Sequence, residues 1–266
     1  MPDLTATSTG FDDGYTARFE NGYNETTALA ARNSTVGSFD NQSITVMISA
    51  HGVIFGRAYN YRSYVAFDMS GNDNDGASLS GNTVTSANLV LQSYANLSGF
   101  VTYTAQASEK FYAVKSNAST NFDGTGNYND IDGWVSSGTY DGNVTDYGNA
   151  SQAANAAVSF TLNSTAIADI NSAISSGGIV KMAILTEDDF LSTTGGSGLG
   201  TLSSQNLEGA RWHTTETSTS TNRPKLELTY GTAASGYSHD VMGVASGNIS
   251  TVKGVATADI AEVIGV

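Results

Sequence analysis

Short windows of this chain alternate apolar and polar residues, and clusters of Gly, Asn and Asp separate them. Successive side chains on a strand point to opposite faces, so such windows bury an apolar face only as β-strands. Residues 43–49 carry Ile44, Val46 and Ile48, and residues 64–69 carry Val65, Phe67 and Met69. Residues 84–94 hold Leu89 and Leu91 on one face, and residues 110–115 set Phe111 and Ala113 against Tyr112 and Val114. Residues 156–162 place Val158, Phe160 and Leu162 together, and residues 226–230 do the same with Leu226, Leu228 and Tyr230. Residues 179–185 are almost all apolar, as a central strand covered on both faces requires. Gly/Asn turns between short strands predict an all-β sandwich.

Composition narrows the function classes. The formal net charge is −14, with 11 Lys and Arg against 25 Asp and Glu. No basic patch can neutralise a run of phosphates, so nucleic acid is not an expected partner. The acidity suits a particle kept soluble by charge. There is no cysteine, which excludes disulfides and thiol chemistry. No apolar run reaches the roughly 18 residues that span a bilayer, so membrane insertion is not expected. The opening MPDLTATSTG has neither the basic nor the apolar region of a secretory signal, and synthesis in a cytoplasm is the expectation.

One helix is predicted. Asn163 or Ser164 caps it, Ile167, Ile170 and Ile174 share a face, and Gly177-Gly178 ends it. A lone amphipathic helix in a β protein is expected to close one end of the sandwich. Residues 72–82 read as a Gly/Asn/Asp/Ser hairpin. Residues 121–149 form a long loop without Lys or Arg, and its aromatic content argues for order.

The C-terminal stretch repeats with an 11-residue period: VMGVASGNIST, VKGVATADIAE, then VIGV. Val241, Val252 and Val263 align, as do Gly243, Gly254 and Gly265, Val244, Val255 and Val266, and Ile249 and Ile260. Two copies and a fragment cannot bury these side chains alone. They are expected to pack on the preceding domain, on a second copy or on a partner. Gly and Val in every copy disfavour a long helix, so strand–turn segments that add to a neighbour are the expected form. The division that follows is a sandwich over 1–232 and an assembly tail over 233–266.

A resemblance sharpens this reading. Arg62-Ser-Tyr-Val-Ala-Phe-Asp-Met-Ser, a Gly-rich turn and Val84-Thr-Ser-Ala-Asn-Leu-Val-Leu resemble the signature of DNRLRE-type jelly-roll domains, which are related to carbohydrate-binding modules. Residues 158–190, Arg211-Trp-His-Thr-Thr-Glu-Thr and Arg223-Pro-Lys-Leu-Glu-Leu-Thr-Tyr are similar to that family's later segments, and Asp13-Gly-Tyr-Thr-Ala-Arg to its first strand. The resemblance spans about residues 10–230 and implies a jelly-roll β-sandwich, usually an accessory module of secreted proteins. In this family Arg62 and Arg223 would hold strands or carboxylates, with Asp68 as a natural partner for Arg62. The V-x-G-V-A-x-x-x-I tail resembles tails on structural proteins of tailed, especially marine, bacteriophages.

Candidate sites follow from residue chemistry. His51, His213 and His239 have no metal-site spacing, and Gly195-Gly-Ser-Gly-Leu-Gly matches neither a nucleophile elbow nor a dinucleotide fingerprint. No catalytic residue is assigned and an enzyme is not expected. Tyr128, Trp134, Tyr140 and Tyr147 offer stacking faces for a glycan; the competing reading has Trp134 anchoring the loop and the tyrosines covering a sandwich edge. Calcium is the one cofactor considered. Acidic clusters at Asp12/Asp13, Asp73/Asp75, Asp130/Asp132 and Glu187/Asp188/Asp189 provide hard oxygen ligands, with Asp130 and Asp132 the best placed. Trp212 is expected in the core. The expected function is a non-enzymatic bacteriophage virion structural protein, a capsid decoration or tail-fibre or spike component. Its partners would be further copies, other virion proteins and a host-surface glycan. An extracellular carbohydrate-binding module or cell-surface filament protein is the alternative.

Overall fold

The computed structural model describes residues 3–5, 13–22, 25–41, 46–94, 102–105, 109–118, 125–134, 144–152, 156–191, 206–232, 251–252 and 255–256. In chain order the elements are β1 (Asp3–Thr5), β2 (Gly14–Asn21), α1 (Glu25–Arg32), β3 (Phe39–Asn41), β4 (Val46–Ile54), β5 (Arg57–Asp68), β6 (Asn82–Leu91), β7 (Thr102–Ala105) and β8 (Glu109–Lys115). Then come a 3-10 turn (Thr125–Asn129), β9 (Asp146–Gln152), β10 (Val158–Thr161), α2 (Ser164–Ser176), β11 (Ile179–Thr186), α3 (Glu187–Leu191), β12 (Asn206–His213), a second 3-10 turn (Ser220–Asn222) and β13 (Lys225–Thr232). A short pair, β14 (Thr251–Val252) and β15 (Val255–Ala256), follows in the tail.

The chain is the all-β sandwich that the alternation predicts. One sheet has four strands in the order β1-β13-β6-β10. The other has nine, running β7-β12-β4-β5-β11-β8-β9 with β2 and β3 branching from β5. Its pairings are antiparallel except β7 with β12. Leu89, Leu91, Val158, Phe160, Leu226 and Leu228 of the smaller sheet meet Val65, Phe67, Phe111, Met182 and Ile184 of the larger one in a single buried cluster. Trp212 lies in it, fully buried, with its indole N–H donating to Gln152 Oε1 at 3.1 Å.

The larger sheet forks at Arg62. On one edge of β5, β4 pairs with Arg57–Tyr61 and β11 pairs with Ser63–Asp68. Strand β2 runs along the opposite edge from Arg57 to Tyr64. The split is patched by Ser49, whose hydroxyl donates to Ile184 O at 2.6 Å and lies 3.0 Å from Ser63 Oγ. Central strand β11 is covered on both faces, as its apolar run predicts. Met182 and Ile184 enter the inter-sheet core, while Ala183 and Leu185 join an outer cluster with Tyr64, Ala66, Tyr112, Val114, Ile131 and Val144.

Helix α2 forms where the sequence predicts it. The Asn163 side chain accepts from Thr165 N and Ala166 N, and Gly177 ends the helix at φ 65°. Ile170 and Ile174 are buried in the inter-sheet core, with Ile167 half-buried against it. The helix contacts β6 of one sheet and β9 and β11 of the other, so it closes an end of the sandwich. Asn171 binds it there, accepting from Val84 N at 2.8 Å and donating to Val84 O at 2.9 Å. Two helices were not predicted. Both α1 and α3 are short and lack a long apolar period. Among the described residues no helix is long and apolar enough to cross a membrane.

Gly148 joins the two sheets. It sits on β9 at φ +142°, and a Cβ there would lie 2.5 Å from Thr161 O on β10. Neither the conformation nor the space admits a side chain. Gly148→Ala is expected to lose about 2–4 kcal/mol of unfolding free energy, read by urea denaturation with an unchanged m-value. A loss under about 0.5 kcal/mol would show that the sheets are not in close register there.

Candidate functional site

Three of the most deeply buried ionisable residues among those described, Arg32, Arg62 and Asp189, gather on the outer face of the larger sheet, where β5 forks. Arg62 projects from the fork and is fully buried. Its Nε and Nη2 donate to the Asp189 carboxylate at 2.7 and 2.8 Å, its Nη1 to Tyr128 O at 2.8 Å, and its Nη2 also to Arg32 O at 2.9 Å. The guanidinium lies 4.0 Å from the Trp134 ring and 4.2 Å from the Tyr128 ring. A planar cation with five donors suits such a site, where lysine would leave both the fork and the aromatic faces unmatched.

Each partner is locally fixed. Asp189 stands in the first turn of α3, and Thr186 Oγ1 accepts from its backbone N–H at 3.2 Å. Tyr128, in the 3-10 turn, donates from its hydroxyl to Ala31 O and accepts from Asn60 Nδ2, both at 2.9 Å. Tyr64 donates to Tyr128 O at 2.9 Å. Arg32 ends α1, donates to Asp189 O at 2.8 Å and lies 4.6 Å over Trp134. Burial alone would push the Asp189 carboxyl up, but Arg62 and then Arg32 outweigh it and hold Asp189 below the usual carboxylate range. Burial likewise opposes the Arg62 charge, and Asp189 prevails, raising its pKa.

This geometry corrects several expectations. The partner of Arg62 is Asp189, 127 residues away, and not Asp68, which instead accepts from Ser70 N at 2.8 Å in its own turn. Tyr128 is fully buried and Tyr147 is 1% exposed, so neither presents a face to a glycan. Tyr147 donates to Asp169 on α2. Trp134 is half-buried and stacks on two arginines of its own chain, the anchoring role weighed against glycan binding. Tyr140 lies outside the described residues.

Most of the described acidic candidates bond to the chain itself, and Asp12 lies outside the described residues. Asp130 accepts from Asn127 Nδ2 at 2.7 Å, and Asp132 accepts from the Thr145 hydroxyl. These bonds close the loop on itself and give the calcium candidates another occupation. The triplet after β11 divides among separate bases: Glu187 lies 3.4 Å from Lys110, Asp188 lies 3.0 Å from His51, and Asp189 holds Arg62. Among the described residues no group of three His, Cys, Asp or Glu side chains could hold a metal ion. Of the assembly residues, Val252 and Val255 pair directly between β14 and β15. Val241, Gly243, Val244, Ile249, Gly254, Ile260, Val263 and Val266 lie outside the described residues.

Sequence reasoning missed Asp189 as the central anion and missed Arg32 altogether. A signal for Asp189 was present: Thr186-Glu187-Asp188-Asp189 has the S/T-x-x-acid spacing of a helix start and follows a buried strand. Arg32 carries no such mark. No known protein-family model and no curated protein matches the chain.

At the other end of β5's neighbour, Asp13 is fully buried before β2. It accepts from Thr215 N at 2.8 Å and Thr215 Oγ1 at 2.7 Å. Burial pushes its pKa up to about 7, against the Thr215 bonds that pull it down and with help from Glu216.

Two predictions follow from these groups. Arg62→Met and Asp189→Leu should each lose about 3–5 kcal/mol, because each strands a buried charge or donor set. The double variant should lose clearly less than the sum, and strict additivity in the double-mutant cycle would refute the coupling. Asp13 binds its proton more tightly folded than unfolded, so its contribution is full below about pH 4 and is lost as pH rises through about 7. Unfolding free energy measured across that window should fall with pH, and Asp13→Asn should flatten the fall. An unchanged slope in the variant would assign the pH dependence elsewhere.

Proposed function

We propose that this chain is a non-enzymatic structural protein of a bacteriophage virion, a capsid decoration or tail-fibre or spike component. The sandwich faces solvent, and the residues from 233 onward carry assembly. The observation that supports this best is the β14–β15 pair. It spans the junction of the first and second repeats, with Val252 and Val255 of the second repeat's V-x-G-V phrase opposite one another. Among the described residues this pair forms a sheet of its own and extends neither sheet of the sandwich. An isolated two-stranded hairpin is marginal in water. A repeated V-x-G-V phrase therefore gains stability by laying its strands against a neighbouring copy, in the manner of strand addition. The repeat's resemblance to tails of phage structural proteins supplies the class of particle.

The sandwich fits a display role. Its most buried charges are matched internally, and the strongly negative charge keeps a crowded surface soluble. The glycan-binding alternative has lost Tyr128 and Tyr147 from its proposed loop by burial.

Light scattering tests the reading. The full chain is expected to be a homo-oligomer, and a version ending at Thr232, where β13 ends, a folded monomer. Equal masses for the two, both monomeric, would sink the assembly role of the tail.

A further inference from the structure

The hairpin that joins β4 to β5 breaks two local rules at one residue. Phe55 and Gly56 form its two-residue turn, both with positive φ, at 49° and 72°. Such a turn matches the twist of its strands and is ordinarily filled by Asn-Gly or Asp-Gly. A side chain in the left-handed region crowds its Cβ against the backbone, and among the described residues other than glycine Phe55 alone lies there. It gains no cover within the chain in return, being 67% exposed. A position both strained and bare points to an occupant outside the fold.

The chemistry of the tip selects that occupant. Gly22 N donates to Gly56 O at 2.9 Å, which holds the turn, and Arg57 lies 4.5 Å over the Phe19 ring. Arg57 is exposed, and among the described residues no carboxylate pairs with it, whereas Arg18, Arg62, Lys110 and Lys115 each have one. An aromatic beside a free cation is complemented by an apolar side chain beside a carboxylate. This chain carries that complement on α3. Leu191 is exposed at its end, and Asp188 stands three residues earlier on the same face of the helix. The Asp188 side chain is 34% exposed even with His51 at 3.0 Å. His51 precedes Phe55 by four residues on the hairpin, which sets Asp188 roughly 13 Å from the turn. That is too far for a contact within one chain, but a two-fold axis lays each tip on the other copy's α3. A lipid surface fits less well, since one aromatic is a shallow anchor and anionic headgroups repel a net charge of −14.

We propose that Phe55 and Arg57 of one copy dock on Leu191 and Asp188 of a second copy, and reciprocally. Four side chains a side bury far less than the roughly 1,600 Å² of a stable interface. The contact is therefore weak in free solution and forms where the tail holds copies at a high effective concentration. In that respect it rests on the assembly reading, to which it adds the surface that orients neighbouring sandwiches.

The test uses the full chain in two regimes. At about 1 mM, NMR signals of Phe55 and Leu191 should shift with concentration, and those of Leu191 should stay fixed in Phe55→Asn. By light scattering, Phe55→Asn and Leu191→Asn should each raise the concentration of half-assembly at least about tenfold. Phe55→Asn should also melt about 2–4 °C higher when dilute, because Asn-Gly is the pair this turn favours. Arg57→Glu and Asp188→Arg should each weaken assembly about tenfold, and the chain carrying both should return to within about threefold of wild type. No bond joins Arg57 to Asp188 within one chain, so that restoration marks a contact between copies. If Asp188→Arg does not fold, the two asparagine variants decide. Wild-type half-assembly in both of them, beside loss of mass in the version ending at Thr232, would overturn this contact and leave the tail's role standing. Equal monomeric masses with the NMR shifts at about 1 mM would do the reverse. Failure of the exchanged charges to restore assembly in a folded double variant would also overturn it.

Discussion

The pair Arg62–Asp189 is the constraint on which the outer half of this protein depends. A forked sheet leaves an edge at the branch point that no ladder can satisfy, and the fork falls at Arg62. The guanidinium turns that defect into a junction. It reaches the carboxylate of α3, the carbonyl that ends α1 and the carbonyl of the 3-10 turn, three segments that share no ladder with one another. Without the cation, three segments lose their common anchor; without the carboxylate, two arginines face one another across an aromatic floor. Desolvation makes such a cluster costly to assemble and more costly to break. Its contribution is best understood as fixing which segments cover the sheet and only secondly as net stability.

That covering explains the asymmetry between the sheets. In an ordinary sandwich the outer faces meet water, and strands alternate. Here β5 is buried at every residue from Asn60 to Phe67, and β11 is nearly so. One face lies in the inter-sheet core and the other lies beneath Ala118, Ile131, Trp134, Val144 and Phe190 of α3. Polar groups under this layer must find partners within it. Tyr64, Asn60 and Tyr128 do so by bonding one another and the backbone, which converts a long loop into part of the core.

The same asymmetry marks what could be read in the sequence. Strands with a single buried face were legible from period two, among them β6, β10 and β13. The apolar run of β11 disclosed its burial on both faces. Helix α2 was legible to within a residue because Asn163 and Gly177 carry the chemistry of its ends. The candidate site was not. A cluster of Tyr, Trp and Asp without a base nearby in sequence resembles a glycan platform, and only the fold shows that Arg32 and Arg62 come from distant segments to occupy those faces. Spacing in sequence also favoured the neighbour Asp68 over Asp189, because nothing local reveals a contact across 127 residues. Loop acids such as Asp130 and Asp132 looked like ligands for a cation when their neighbours were the Asn127 and Thr145 donors that hold the turn.

A domain that satisfies so much of its polar chemistry internally contrasts with its own tail. The strands of the sandwich have neighbours, covers and caps. In the V-x-G-V phrase Val252 and Val255 face one another, and one such pair is by itself too little apolar contact to offset the ordering of a backbone. The same phrase 11 residues on repeats the same small apolar content. On the assembly reading proposed above, equivalent phrases from several chains would stack, each added strand finding both a ladder and an apolar face. Regular spacing matters for that purpose alone: it keeps successive valines in register with the same positions of a neighbour. On the reading proposed above, the periodic tail is the part of the chain that a neighbour would complete.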